Sequence, residues 1–461
     1  MPKCWPSRLF DAILAETVHS CRNKNSYVYS TDHSNIMLTK EKRENLVRAA
    51  QLSALGLSQK KIGAKLSKPH KQPAVAKLLQ EAKLCGIIRT EIDPDAVFTG
   101  EPDLELSDQL RKAFSLETAR VLEVPADFDT DELHIALANA TALSVRESLK
   151  SFDYIAVAGG RAVARLCEVL GQRPVNVHDV AVTPLGGRLW NGHIWKGGAR
   201  LSRHLEQPLN PDDCALRLAR SLHSGHQPEI AFTQVGHPLY TKSQDAAEEI
   251  IDQNCAFTRG GGWDKFGLGT PSVAFVGVGM LSTATSHRLA EWIDSVSKKS
   301  KPTETEKLLG RIDGAMKAAA DGGLPAFGDV ANRLFVCLPL PAELRSSEKR
   351  RQQLSREIKK LDGILLEVNL RSVVMDWNHL RSIKYTSAIA GGTPAAPKLH
   401  ALWTLMLATA LFDKGRIGLI NSLTTDAQTA ERLVEARQEL AQSGADVINW
   451  YKDMLQILFP L

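Results

Sequence analysis

Glycine pairs follow several of the hydrophobic runs in this chain of 461 residues. Backbone N–H groups in such loops, and at the start of a following helix, can bind an anion or a sugar oxygen. A glycine pair after a strand is also a common tight turn, so each loop alone is a weak signal. Together the loops predict a site for a ligand the size of a sugar or a phosphate. The candidate effector-binding residues are Gly159, Gly160, Arg161, Gly186, Gly187, Asp329, Arg333, Gly391, Gly392, Thr393 and Lys398.

No catalytic motif stands beside these loops. The sequence has no Ser-His-Asp order and no GxSxG, HExxH or P-loop pattern. Asp329 is the one carboxylate near the loops that could serve proton transfer. None of the seven cysteines forms a CxxC pair, which argues against a zinc site. We therefore expect no catalytic residue, no metal and no cofactor. The alternative is a sugar-phosphate isomerase or deaminase fused to a basic domain.

Positive charge is concentrated near the N-terminus. Residues 37–93 contain twelve Lys and Arg against five Asp and Glu, a net charge of +7, whereas the whole chain carries +5. The remainder is therefore slightly acidic. A basic segment on an acidic body is typical of a nucleic-acid-binding module, although a solvated lysine face gives the same count.

Three helical patterns follow one another in this basic segment: one from Thr39, one in SQKKIGAKL and one from about Gln72. The run IIRTEI behind them is patterned as a strand, so the segment predicts a winged helix-turn-helix. In that motif the second helix enters the major groove, while lysines around it bind phosphates. The turn SKPHKQP is longer than usual for this motif. The candidate DNA-binding residues are Lys60, Lys61, Lys65, Lys68, Lys71, Gln72, Ala74 and Lys77.

Beyond the basic segment, strand-like and helical patterns alternate as in a doubly wound α/β domain. Within it, FGDVANRLF is interpreted as a ligand loop, SDQLRKAFS as a helix and the last thirty residues as one helix with an apolar face. The stretch INWYKDMLQILF either forms an oligomer interface or packs on its own domain. The predicted organisation is a poorly ordered extension (1–38), a helix-turn-helix domain (39–93), a linker (94–106) and an effector and oligomerisation domain (107–461).

The chain shows no secretory signal and no run of about 18 apolar residues. Its cysteines are scattered and suit free thiols in a reducing compartment. We expect a cytoplasmic protein without a membrane partner, translated from either Met1 or Met37.

The order of the motifs resembles one family, the SorC family of bacterial sugar-responsive transcriptional regulators. Its helix-turn-helix is similar to ENLVRAAQLSALGLSQKKIGAKL together with AVAKLLQEAKLCGIIRTEI. Its effector-domain motifs follow in the same order as YIAVAGGRAVARLCEVLG, TPLGG, VAFVGVGM, GDVANRLF, SAIAGG and LINSLTTDAQTA. The resemblance implies an effector domain with the fold of sugar-phosphate isomerases and deaminases, no enzymatic activity, a homodimer or homotetramer, and a phosphorylated sugar or similar metabolite as inducer.

Two parts of the site depart from the family's pattern. Ala158 and Ala162 stand where the family has hydroxyl residues that hold phosphate, and Ala395 stands where it has a lysine, with Lys398 three residues further on. Both changes remove phosphate contacts, so the ligand is unphosphorylated or larger, or the site is degenerate. The overall prediction is a DNA-binding transcriptional regulator whose operator affinity is controlled by a sugar, a sugar phosphate or a similar metabolite. A scaffold that does not bind DNA is the remaining alternative.

Overall fold

The computed structural model describes residues 40–54, 57–66, 71–84, 100–125, 128–149, 153–172, 180–187, 210–222, 240–241, 243–253, 270–281, 304–321, 323, 327–344, 348–392, 398–412 and 419–460. The chain divides into two units, Met1–Ala96 and Val97–Leu461. No helix among these residues is long and apolar enough to cross a membrane.

The described part of the first unit consists of three helices: α1 (Lys40–Ala54), α2 (Gln59–Lys65) and α3 (Gln72–Leu84). Ala49 and Leu52 from α1, Ile62 from α2 and Val75 from α3 form a small buried core. Each helix is amphipathic and marginal alone, so burying these apolar faces against one another stabilises all three. The predicted wing strand and the turn SKPHK lie outside the described residues, apart from Lys71.

The second unit is built on a nine-stranded sheet with the order β1-β2-β9-β8-β5-β3-β4. Its path from β2 to β4 is parallel throughout, β1 is antiparallel at the edge, and the hairpin β6–β7 pairs with the end of β5. The predicted α/β class is confirmed, with a mixed sheet. The strands are β1 (Glu101–Pro102), β2 (Thr118–Glu123), β3 (Tyr154–Val157), β4 (Ala181–Pro184), β5 (Val273–Leu281), β6 (Phe327–Val330), β7 (Arg333–Val336), β8 (Tyr385–Ile389) and β9 (Ser422–Asp426).

Helices connect these strands and follow the last of them. They are α4 (Leu104–Phe114), α5 (Thr130–Ser148), α6 (Arg161–Gln172), α7 (Pro211–Leu222), α8 (Gln244–Gln253), α9 (Glu304–Asp321), α10 (Pro341–Leu344), α11 (Glu348–Leu370), α12 (Trp377–Ser382), α13 (Leu399–Phe412), α14 (Ala427–Ala441) and α15 (Ala445–Leu458).

The sheet is covered on both faces. Along β3, Ile155 and Val157 pack with α5, α6 and α7, whereas Tyr154 and Ala156 belong to the other core, which includes α4, α13 and α14. This alternation follows from the two-residue period of a strand. The chain passes from β3 out to β4 and then back past β3 to β5. The strand order therefore reverses between β3 and β5, which is where sheets of this kind bind ligands.

Two element boundaries differ from the sequence prediction. Residues 101–106, assigned to the linker, instead contain β1 and the first turn of α4. Asp103 explains this start of the helix, because its carboxylate accepts the Leu106 N–H at 2.8 Å and caps the helix. At the C-terminus the predicted single helix is two helices, since α14 ends at Ala441 and Gly444 precedes α15 in an extended conformation.

The C-terminal helix packs on its own unit. Tyr451 is fully buried and donates to the Pro339 carbonyl at 2.7 Å. Beyond the helix, the Phe459 ring lies 5.0 Å from Trp377 and 5.7 Å from Phe335, measured between ring centroids. Arg381 binds the Phe459 and Pro460 carbonyls and holds the tail in place.

Removing the Phe459 ring should open a cavity in this aromatic cluster. We expect Phe459→Ala to lower the free energy of unfolding by about 3–5 kcal/mol, the usual loss for a fully buried phenylalanine. Urea unfolding of the full chain measures this loss of unfolding free energy. Lys452→Ala, at an exposed residue of α15, is the control. A loss below about 1 kcal/mol, in the range of ordinary surface changes, would contradict the packing described for the tail.

Candidate functional site

The loop after β3 lies at the point where the strand order reverses. Gly160 has a φ of 114°, a conformation that residues with a side chain rarely adopt, and α6 begins at Arg161. Gly277 of β5 is the neighbour of this loop: a Cβ atom there would lie 3.9 Å from the Gly159 carbonyl oxygen. The structure therefore places three of the predicted ligand residues, Gly159 to Arg161, at the crevice expected for the fold.

The Asp426 carboxylate joins the loop after β8 to the start of α14. Its Oδ2 accepts the Gly392 N–H at 3.0 Å and the Thr429 hydroxyl at 2.9 Å, and its Oδ1 accepts the Thr429 N–H at 2.9 Å. A Cβ atom at Gly391 would lie 2.7 Å from Oδ2 and 2.8 Å from the Leu137 side chain, so this close approach requires glycine. Sequence reasoning missed Asp426, although an aspartate between a strand and a helix is a common helix cap.

The loop after β4 is packed against Val373 and Val374 and lies beside the turn of the β6–β7 hairpin. Gly187 donates its N–H to the Val373 carbonyl at 2.7 Å, and Gly186 forms a bridge with Val374. A Cβ atom at Gly186 would lie 3.2 Å from the Val374 side chain and 3.6 Å from the Ala331 carbonyl oxygen at the hairpin turn. These two predicted ligand glycines thus shape the wall beside the hairpin, and the Gly187 N–H already has a protein acceptor.

The predicted ligand loop FGDVANRLF is a β-hairpin, and this separates its two charged residues. Asp329 lies opposite Leu334 in the ladder, whereas Arg333 lies opposite Val330. Successive side chains of a strand alternate between faces, so Asp329 and Arg333 lie on opposite faces of the hairpin. The Arg333 guanidinium carbon lies 5.2 Å from the centroid of the Trp377 ring, which places it with the aromatic cluster.

Lys398, at the start of α13, brings the remaining charged groups together. It is half-buried, and burial lowers its pKa to about 8, with the Arg161 guanidinium acting in the same direction. The carboxylates of Asp329 and Asp426 act in the opposite direction, so all three charged groups lie within electrostatic reach of the ammonium. The structure therefore brings Lys398, Arg161 and Asp329 to one site. Thr393 lies outside the described residues.

The site combines two cations with a carboxylate and glycine loops. Arg161 and Lys398 can bind an anionic oxygen, and Asp329 can accept hydrogen bonds from hydroxyl groups. Arg161 also lies 3.9 Å from Asp131 at the start of α5, through the guanidinium and carboxylate. The arrangement suits a small polar ligand with hydroxyl groups and a negative charge. Within the described ranges no group of His, Cys, Asp or Glu side chains is placed to hold a metal ion.

The first unit has its own basic face. The predicted DNA contacts that the structure describes lie on α2 and at the start of α3, and all of them are exposed. Lys42 of α1 and Glu81 of α3 are joined by an ion pair of 3.0 Å. Lys68 lies outside the described residues. The described and exposed members are Lys60, Lys61, Lys65, Lys71, Gln72, Ala74 and Lys77.

Residues 100–199 match a protein-family model described as "Putative sugar-binding domain". They include β1 to β4 and the loop at Gly159–Arg161, and the match confirms the predicted resemblance over this part of the chain. A search of curated proteins found no match.

Several solved structures are similar to the chain. The full-length sorbitol operon regulator SorC from Klebsiella pneumoniae is 19% identical, with a TM-score of 0.45, covering 86% of this chain and 99% of that one. A transcriptional regulator from Streptococcus pneumoniae TIGR4 is 15% identical, with a TM-score of 0.46 and coverage of 72% and 96%. The probable sor operon regulator from Shigella flexneri is 17% identical, with a TM-score of 0.44 and coverage of 72% and 99%. Likenesses at this level say nothing by themselves about the ligand of this chain.

Two substitutions separate the roles of Asp426. Asp426→Asn keeps the Oδ1 acceptor that caps α14 but loses a charged acceptor for the Gly392 N–H, whereas Asp426→Ala loses both. We expect faster hydrogen exchange at the Gly392 amide in both variants. The loss of unfolding free energy should be larger in the alanine variant, about 1–3 kcal/mol. Unchanged exchange at Gly392 in Asp426→Asn would contradict the described link between the loop and α14.

Lys398 should give the protein a specific pH dependence. Its pKa is about 8 in the folded chain against 10.5 ordinarily. Between these values the unfolded chain binds the extra proton, so the free energy of unfolding contributed by this group rises with pH. Lys398→Met should lack this rise, and Lys384→Met, at an exposed lysine, should retain it. Denaturant unfolding of the wild type and the two variants at pH 7.5 to 10.5 gives the free energy of unfolding as a function of pH. If this free energy rises with pH equally in Lys398→Met and the wild type, the prediction is contradicted.

Proposed function

We propose that this chain is a DNA-binding transcriptional regulator whose affinity for its operator is controlled by a sugar, a sugar phosphate or a related metabolite. The ligand binds at the carboxyl ends of β3, β5 and β8. The basic helices α2 and α3 bind DNA, with residues 87–92 as the wing, and the active form is a cytoplasmic homodimer or homotetramer.

One observation carries the ligand part of the proposal. Arg161, Lys398 and Asp329 come from three separate segments, and the fold gathers them at the reversal of strand order in a domain whose first part matches a sugar-binding family. Cationic groups bind anionic oxygens, and a carboxylate beside glycine loops accepts sugar hydroxyls.

The DNA part is supported by the exposed basic face of the first unit. Lysines at the start of α3 are in the part of a recognition helix that approaches base edges and the neighbouring phosphates, while those of α2 suit phosphates. Control by a metabolite requires that the ligand bind two states of the regulator with different affinity. A change of assembly or of DNA-binding geometry would satisfy that requirement.

The enzyme alternative is tested by turnover. An isomerase or deaminase would release product from glucose 6-phosphate, fructose 6-phosphate or glucosamine 6-phosphate, and we expect none from the purified full chain. Thermal-shift measurements with the same compounds should instead show stabilisation by at least one of them, because a ligand that binds only the folded state raises its stability. Turnover without stabilisation would reverse the assignment.

The DNA contacts can be tested through salt dependence. We expect Lys71→Ala and Lys77→Ala together to weaken binding to a labelled fragment from upstream of the chain's own gene. They should also reduce the slope of log K against log salt by about 2, because each lysine neutralises one phosphate in the wild type. Fluorescence anisotropy from 50 to 300 mM KCl measures both effects.

A matched control lies in the second unit. Lys452→Ala removes one exposed charge from α15 and should leave both the affinity and the slope unchanged. A double variant that binds the fragment with the wild-type slope would exclude α3 as the DNA-binding helix. Equal affinity of the wild type for an unrelated fragment of the same length would favour non-specific binding over an operator.

A further inference from the structure

His134 on α5 is a buried histidine whose Nδ1 atom makes no hydrogen bond to any residue in the described ranges. Its side chain is 3% exposed, and its Nδ1 atom has no partner among the residues that the structure describes. Buried polar groups are nearly always hydrogen-bonded in proteins, and one that is not calls for an explanation.

The position of His134 on α5 places it beside the ligand crevice. Asp131, one turn earlier on the same helix face, lies 3.9 Å from Arg161 of α6. Leu133 and Leu137, its neighbours on α5, are the side chains that Gly391 approaches closely. The imidazole thus lies in the first turns of α5, between the start of α6 and the loop after β8.

The charges around His134 favour the neutral form of its ring. Burial holds its pKa well below the ordinary value, and the cations Lys398, Arg161 and Arg165 act in the same direction. A neutral imidazole offers one N–H donor and one nitrogen acceptor. Such a group binds a hydroxyl well, and it can do so next to an anion held by Arg161 and Lys398.

We propose that His134 is a ligand-binding residue that hydrogen-bonds a hydroxyl group of the effector, while Arg161 and Lys398 bind a negatively charged group of the same molecule. The inference rests on the proposed function and narrows it to a polyhydroxylated anion. In the free protein the unpaired imidazole lowers stability, and the ligand supplies the missing hydrogen bond. His134 therefore selects sugar phosphates or sugar acids over inorganic phosphate.

The test compares His134→Leu with the wild type in the full chain. Leucine fills a similar volume without an unpaired polar group, so the melting temperature without ligand should be equal or higher. The probes are glucose 6-phosphate, fructose 6-phosphate, gluconate and inorganic phosphate, measured by thermal shift and isothermal calorimetry. We expect His134→Leu to raise the dissociation constant of the tightest-binding sugar-derived probe at least 10-fold. The dissociation constant of inorganic phosphate should change by less than 2-fold.

Two further variants sharpen the comparison. Thr141→Val is the matched control, because Thr141 is also a buried polar residue of α5 but its hydroxyl donates to the Leu137 carbonyl at 2.7 Å. It should bind every probe like the wild type. His134→Asn keeps a hydrogen-bonding atom near the position of Nδ1 and should recover part of the affinity.

The outcomes separate this inference from the proposed function. Binding of a sugar-derived probe by His134→Leu as tightly as by the wild type would overturn the role of His134 and leave the regulator proposal standing. A melting temperature lowered by 5 °C or more would also overturn it, since a structural partner would then be lost. Failure of the wild type to bind any sugar-derived probe would overturn the inference, while the DNA-binding part of the proposed function is decided by the salt-dependence measurement.

Discussion

The geometry of the ligand crevice depends on one buried carboxylate. Asp426 is 2% exposed and binds the backbone of the loop after β8 together with the first turn of α14. A buried carboxylate is stable only if its oxygens accept hydrogen bonds. Asp426 accepts three, from the Gly392 N–H, the Thr429 N–H and the Thr429 hydroxyl. That requirement ties the loop after β8 to the first turn of α14. It also explains why residue 391 is glycine, because any side chain would meet the carboxylate and Leu137.

The β6–β7 hairpin forms a second side of the crevice, and aromatic residues pack against its other face. Its two-residue turn gives Ala331 a φ of 51°, which is unfavourable for alanine and persists only where surrounding contacts enforce it. Phe335 lies so close to Gly328 across the hairpin that a Cβ atom there would be 2.2 Å from the ring. The same ring contacts Trp377 and Phe459, so the C-terminal tail supports the element that carries Asp329.

The α/β class, the positions of the main strands along the chain, the three N-terminal helices and the Gly159–Arg161 loop could be predicted from the sequence, because each rests on local patterns of several residues. FGDVANRLF was interpreted as a loop and β6 was missed, because its four residues are too few to show a period. The prediction that Asp329 and Arg333 belong to one ligand site followed from that error, because the hairpin places them on opposite faces. Asp426 was missed although its cap of α14 is a local pattern. His134 was missed because the residues that make its environment are distant in sequence.

Several unfavourable features are gathered at this one crevice. His134 is buried without a hydrogen bond among the described residues, Lys398 is held beside Arg161 with a lowered pKa, and Ala331 has a positive φ. Natural proteins tolerate such local costs mainly where function requires them. A ligand with an anionic group and a hydroxyl would relieve the first two at once. Its negative charge would offset the positive charges of Arg161 and Lys398, and its hydroxyl would form a hydrogen bond with the His134 imidazole. Under the proposed function, this relief is the source of the differential affinity that a metabolite needs in order to shift a regulator between two states.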